Sequence, residues 1–278
     1  MLDEILQIAF DPAPLRAVVK AVIRRFELFD YGLRIHLLAV KRPHYGYCVY
    51  HAAQLAKRLG MDRISVIEFG VATGNGLLNL EWHAENVQRT LGVTVDVYGF
   101  DTGGGLPEPA DYRDMPYHFQ KGFFRMDVEA LRARLERATL VLGDVRETAA
   151  TFFERYRPAP IGAVMHDFDF YSSTVPALAM FDAAPEYWLP RVFCYFDDTI
   201  GAPVPLNGTP VELYNDYTGQ RLAIHDFNAA HEHIKLSPAY HLISRKVAES
   251  WFHQIWTAHL FRHPLYNAFV SKENELKD

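Results

Sequence analysis

The hydrophobic positions of this chain follow two different periods, and the change from one to the other marks out its elements. Up to residue 60, apolar side chains recur at helical spacing: Leu15, Val18, Val19, Val22, Ile23 and Phe26 predict a helix over residues 14–29, with Pro14 in its first turn. Two more helices are expected over residues 31–40, ending before Pro43, and 47–59, closed by Gly60. From Ile64 onward the pattern becomes short β-branched runs, apolar on both faces, alternating with amphipathic stretches. Such runs suit strands covered on both sides, so strands are predicted over residues 64–69, 93–100, 138–143, 161–166 and 191–196. Helices fall between them, one starting near Leu77 and others over 126–137, 145–156 and 173–184. Strand, helix, strand in repetition means a parallel sheet wound with helices on both faces. A helix over 221–233 and strands near 233–236 and 252–261 complete a seven-stranded sheet. The expected organisation is an N-terminal helical segment, residues 1–60, packed on an α/β, doubly wound core of residues 61–278.

Gly70, Gly74 and Gly76 separate the first strand from the helix that follows it. Glycines there let the backbone turn sharply and let a ligand come close with no Cβ in the way. A helix starting near Leu77 turns its free N–H groups toward the same spot. The next strand delivers Asp101 at its carboxyl end, beside that turn, where a carboxylate can accept hydrogen bonds from both hydroxyls of a ribose. Glu68 offers a second acceptor. A site for a nucleotide-type ligand is one reading of these residues, and a Gly-rich connection without a ligand is the other. A nicotinamide fingerprint needs Gly-x-Gly-x-x-Gly, and Gly74-Asn-Gly76-Leu-Leu-Asn79 lacks the third glycine.

Composition narrows the classes without choosing among them. Of 278 residues 49% are hydrophobic and 22% charged, which describes a globular chain able to bury a large core. A net charge of −6, with no clustered Lys and Arg, argues against nucleic acid as a partner. No apolar run is long enough to span a bilayer, and the first residues lack the basic-then-apolar order of a signal peptide, so a cytoplasmic location with no membrane partner is expected. Cys48 and Cys194 follow no metal or redox spacing and are expected to be reduced and buried. Lys20, Arg24 and Arg25 are read as a solvated helix face, and His231 and His233, two apart, as surface residues.

Two further stretches carry chemistry. Residues 102–125 form the longest irregular segment, rich in Gly and in aromatic side chains such as Tyr112, Tyr117, Phe119 and Phe124; a lid or pocket wall is expected. Asp167 and Asp169 leave the end of one strand, ahead of a helix capped by Ser172 or Ser173, and Asp197 and Asp198 leave the end of another. In an open α/β sheet those ends share the ligand-binding edge. Four carboxylates gathered there repel one another unless a cation or a proton lies between them, and a hard divalent ion such as Mg²⁺ or Ca²⁺ relieves the repulsion. The alternative is that two of the four are helix caps or face solvent.

The order Glu-x-Gly-x-x-x-Gly-x-Gly from Glu68 resembles the first motif of class I S-adenosylmethionine (SAM) methyltransferases, which are Rossmann-like in fold. Gly99-Phe-Asp101 with Gly105-Leu-Pro-Glu-Pro109, Leu142-Gly-Asp144, Asp167-x-Asp169-x-Tyr-x-Ser-Thr174 and Asp197-Asp198 follow in the order of the macrocin O-methyltransferase family, over about residues 46–199. The chain departs from that family in its three glycines at 103–105 and in Phe196 before the Asp pair. The resemblance implies that Glu68, Gly70, Gly74 and Gly76, with Ala72, line the amino-acid end of SAM. It puts Asp101 and Thr102 at the ribose, and Gly143, Asp144 and Val145 at the adenine. It gives Asp167, Asp197 and Asp198 to a metal, Mg²⁺ or another divalent ion, with Asp169 as second choice. Asp167, His166 and His118 are then candidates for the base that frees the acceptor oxygen. The implied acceptor is a hydroxyl on a sugar or small metabolite, and the implied assembly a homodimer or larger homo-oligomer. A SAM-binding protein without catalysis and an NAD-dependent oxidoreductase remain the other classes.

Overall fold

The computed structural model describes residues 13–200, 213–245 and 249–271; what the sequence predicts for the remaining positions lies outside the described residues. Three helices, α1 (Ala13–Phe26), α2 (Tyr31–His36) and α3 (Pro43–Arg58), precede the sheet. Five parallel strands follow with helices between them: β1 (Arg63–Phe69), α4 (Asn75–Leu91), β2 (Thr94–Asp101), α5 (Val128–Arg132), β3 (Thr139–Leu142), α6 (Val145–Tyr156), β4 (Ile161–His166), α7 (Tyr171–Ala179) and β5 (Trp188–Phe196). The chain closes with α8 (Gly219–Ala230), β6 (Ile234–Pro238), α9 (Tyr240–Ile243) and β7 (Ile255–Leu260). The strand order is β3-β2-β1-β4-β5-β7-β6, with β7 antiparallel to both its neighbours. All seven predicted strands are present. The order reverses direction between β1 and β4, and in a sheet of this kind the crevice outside the strand ends at that point receives ligands.

Side-chain alternation decides which residues can reach that crevice. On β1, Ile64 and Val66 pack into the layer formed with α3 and α4, while Ile67 and Phe69 pack into the layer under α6, α7 and α8. Glu68 therefore faces α3 and α4. On β4 the same alternation sends Met165 to the first layer and His166 to the second. Both residues are buried inside the helical layers and point away from the sheet edge.

Three elements differ from their sequence patterns for local reasons. Helix α5 covers only part of 126–137, because the Glu81 carboxylate collects the N–H groups of Glu136, Arg137 and Ala138 at 3.0, 2.6 and 2.6 Å and ends the helical run. Helix α7 starts at Tyr171 and has no side-chain cap of its own; the predicted caps Ser172 and Ser173 lie inside it. Helix α1 rests on the body by its polar side, where Lys20 pairs with Glu249, so Lys20 is not part of a solvated face, although Arg24 and Arg25 are exposed. Cys48 and Cys194 are free and buried. Among the described residues no helix is long and apolar enough to cross a membrane.

Candidate active site

A cleft of about 530 Å³ opens at the carboxyl ends of β1, β2, β3, β4 and β5, within the size range of cofactor and substrate pockets. One wall is the turn after β1. Gly70 has φ +82°, and a Cβ there would fall 1.8 Å from the carbonyl oxygen of Asp167, so the close approach of two strand ends demands a glycine. Asp101 braces the same turn from β2. One of its carboxylate oxygens accepts the backbone N–H groups of Val71 and Ala72, both at 2.9 Å, and the other accepts that of Gly103 at 2.6 Å. Held this way, Ala72 takes a left-handed conformation, φ +46°, that a non-glycine residue seldom adopts.

Gly70, Ala72, Asp101, Thr102 and the 143–145 turn all line the cleft. Glu68, Gly74 and Gly76 do not. Gly74 is crowded by the Leu131 side chain, and Gly76 by the Glu68 carboxylate. Glu68 itself accepts a hydrogen bond from the Tyr45 hydroxyl at 2.7 Å, its second oxygen has no partner, and burial pushes its carboxyl up to about 8. These three residues build the floor beneath the turn.

The opposite wall carries the aspartates. Oxygens of Asp167, Asp197 and Asp198 lie within 4.8 Å of one another. Asp198 is buried and held on three sides: it accepts from the Asp169 N–H at 2.9 Å and the Tyr214 hydroxyl at 3.0 Å, and its own N–H donates to Gln220 at 3.0 Å. The Tyr195 hydroxyl donates to Asp197. Asp169, at φ +60°, spends its backbone N–H on Asp198. Burial and then the neighbouring carboxylates push the Asp167 and Asp198 carboxyls well above the usual range, and burial with Asp197 raises Asp169 to about 7. Converging oxygen donors with a strained negative charge fit a hard divalent cation.

The base candidates separate. Asp167 and His118 line the cleft. His166 does not: its ring is stacked between Phe69 and Phe196, neither nitrogen is hydrogen-bonded, and burial lowers it to about 3. It is a core residue. His231 stacks on Phe227 and pairs with Asp182 at 3.1 Å, and His233 pairs with Glu232; neither lines this cleft.

Residues missed in the sequence complete the site. Asp114 is fully buried and ties the 102–125 segment to α7: its oxygens accept the Ser172 N–H at 2.9 Å, the Ser172 hydroxyl at 2.7 Å and the Ala110 N–H at 2.8 Å. Met115 and Phe119 bury themselves against Phe170 beside it, so the inner half of the segment is a packed wall. Tyr112, Tyr117, Phe123 and Phe124 stay exposed. One signal is available for Tyr195: it stands near the end of β5, two residues before Asp197, which opens the turn after the strand. Asp114 had no comparable signal, because Ser172, which it ties to the segment, is 58 residues away.

The architecture is similar over 88% of this chain and 91% of the other to the crystal structure of CalS11, a calicheamicin methyltransferase, at 18% sequence identity and a TM-score of 0.50. The shared fold is a Rossmann-like α/β fold with a seven-stranded sheet. Two other solved O-methyltransferases are similar at lower scores. TomG from Streptomyces achromogenes has 15% identity, covers 87% of each chain and has a TM-score of 0.40; NovP has 15% identity, covers 56% of this chain and 65% of its own, and has a TM-score of 0.42. No protein-family model and no curated protein matches the sequence.

Proposed function

We propose that this chain is a SAM-dependent O-methyltransferase acting on a hydroxyl of a small-molecule acceptor, a sugar or another metabolite, with a divalent cation, Mg²⁺ first among them, held by Asp167, Asp197 and Asp198. One observation carries the reading: a single cleft joins the Asp101-braced turn and the 143–145 turn to a cluster of converging carboxylates. The first two features suit an adenosyl group, and the third suits an oxygen nucleophile that must lose its proton. SAM supplies an electrophilic methyl, and a bound cation lowers the pKa of a hydroxyl it touches.

The protein's own contribution is alignment and proton handling. Gly70, Ala72 and Asp101 fix the turn that carries the cofactor side, while Thr102 and Val145 border the ribose and adenine ends. Tyr195 and Tyr214 hold Asp197 and Asp198 in place by hydrogen bonding. With Asp167 committed to the cation, His118 on the loop wall is the base. The Gly74-Asn-Gly76 piece, one of the two features behind the oxidoreductase reading, lies outside the cleft with Leu131 and Glu68 packed against it, while Asp101, the other, serves both readings.

The direct experiment incubates chelator-stripped protein with methyl-labelled SAM and a panel of hydroxylated sugars and phenols, with and without Mg²⁺. Label in an O-methyl product that appears only with Mg²⁺ supports the proposal. SAH (S-adenosylhomocysteine) binding with no transfer to any acceptor gives the chain to the non-catalytic class.

A further inference from the structure

We infer that the outer face of α1 is a docking surface for a second copy of this chain, helix against helix across a two-fold axis. The helix is mounted with its polarity reversed. Its inward side carries Arg16 and Lys20, paired with Glu249 at 3.3 and 2.5 Å, and one buried apolar anchor, Ile23. Its outward side carries Leu15, Val18, Val22 and Phe26, a stripe at helical spacing, and Leu28 and Phe29 just past the helix end are exposed as well. All of these are exposed, Val18 to 60% and Phe26 to 67%. An amphipathic helix on a monomer turns such a stripe toward the core.

The size of the stripe matches what a dimer needs. With about 200 Å² for a whole aromatic side chain, the exposed parts of these residues offer roughly 500 Å² of apolar surface, a patch that on a single chain marks an interaction site. Two copies face to face remove about 1,000 Å² from water, the lower bound for a specific interface. The dimer is therefore expected to be concentration-dependent rather than permanent. Antiparallel pairing sets the Leu15 end of one helix against the Phe26 end of the other, and keeps the exposed Arg24 and Arg25 of the two copies at opposite ends. A parallel pair would bring four guanidinium groups together.

Charge argues for a protein partner over a lipid surface. Membrane-surface helices ring their apolar face with cations. Here Arg16 and Lys20 are turned inward onto Glu249, the exposed Arg24 and Arg25 flank only the C-terminal end of the stripe, and the whole chain carries a net charge of −6. A second copy needs no charge match, because the stripe is complementary to itself. This inference stands independently of the proposed methyl transfer, since α1 contributes no residue to the cleft.

The test is sedimentation equilibrium on the full chain over a hundredfold concentration range. The parent should approach twice its 31.8 kDa mass at the upper end. Val18→Asp with Val22→Asp, at two exposed positions, should be monomeric throughout with an unchanged melting temperature. The milder Phe26→Ser should weaken association at least tenfold, and Tyr240→Asp, at an exposed position off α1, should leave it intact. A parent that stays monomeric, or a dimer that survives in both α1 variants, overturns the inference. A monomeric parent that floats with vesicles of anionic lipid overturns it in favour of a membrane.

Discussion

A Cβ added at Gly76 would stand 1.7 Å from Oε1 of Glu68, so the glycine and the carboxylate divide one space between them. The glycine is required by a buried acid of the protein's own, not by the approach of a ligand. Gly76→Ala should therefore destabilise the chain by about 1–3 kcal/mol, the usual cost of overpacking a core. Thermal unfolding without ligand measures it. A Gly76→Ala chain as stable as the parent but weakened toward SAH would return this glycine to the cofactor.

Glu68 should also leave a mark on the pH dependence of stability. Burial raises its carboxyl from the ordinary 4.5 to about 8 in the folded chain. Between those values the folded state holds a proton that the unfolded state has released, so stability is fullest below 4.5 and falls as pH rises through 8. Glu68→Gln, which keeps an oxygen for Tyr45, should flatten the melting temperature over that window. An identical slope in parent and variant would mean that Glu68 is charged in the fold.

Much of this architecture is legible in the sequence because it rests on period. Continuous apolar runs reveal β1 to β5, and the carboxyl-edge rule brings Asp101, Asp167, Asp197 and Asp198 to one crevice before any contact is known. What the pattern does not carry is the direction of a side chain at a strand end and the identity of its distant partners. Glu68 and His166 sit where a motif places a ligand acid and a base, yet alternation turns both into the helical layers. Asp114 lies in a stretch with no period at all, and its value comes from Ser172 across the cleft. The period of the stripe on α1 predicts its helix, but period cannot say which side faces the body when an ion pair to Glu249 decides it.

The aspartate cluster predicts a cation effect that grows with pH. Protons held by Asp167, Asp169 and Asp198 must leave before a cation binds, so Mg²⁺ should raise the melting temperature more at about pH 8 than at about pH 5. The folded carboxyls are raised, so without an ion their contribution is lost as pH rises, and the ion restores it. Asp198→Asn should abolish most of the Mg²⁺ shift while SAH binding persists. A Mg²⁺ shift equal at both pH values, or unchanged in Asp198→Asn, would assign these aspartates a purely structural role.

Asp114 is expected to fasten the loop wall. Asp114→Ala leaves the Ser172 and Ala110 donors unpaired, a loss of about 1–3 kcal/mol, and frees the segment around Tyr112. Hydrogen exchange should then speed up over residues 106–124 and at the start of α7, with the sheet unaffected. Uniform loss of protection across all strands would mean that Asp114 holds the fold as a whole.

The central claim is that the cleft beside Asp101 takes the adenosyl cofactor of methyl transfer, and calorimetric titration of SAH into the full chain tests it most directly. One SAH per chain should bind, NADH should neither bind nor displace it, and at a hundredfold excess over Kd the fold should gain about 2.7 kcal/mol. Thr102→Trp, a bulky change at an exposed position on the cleft wall, should remove most of the affinity while the chain stays folded. Absence of SAH binding to the parent, or displacement of SAH by NADH, would contradict the account.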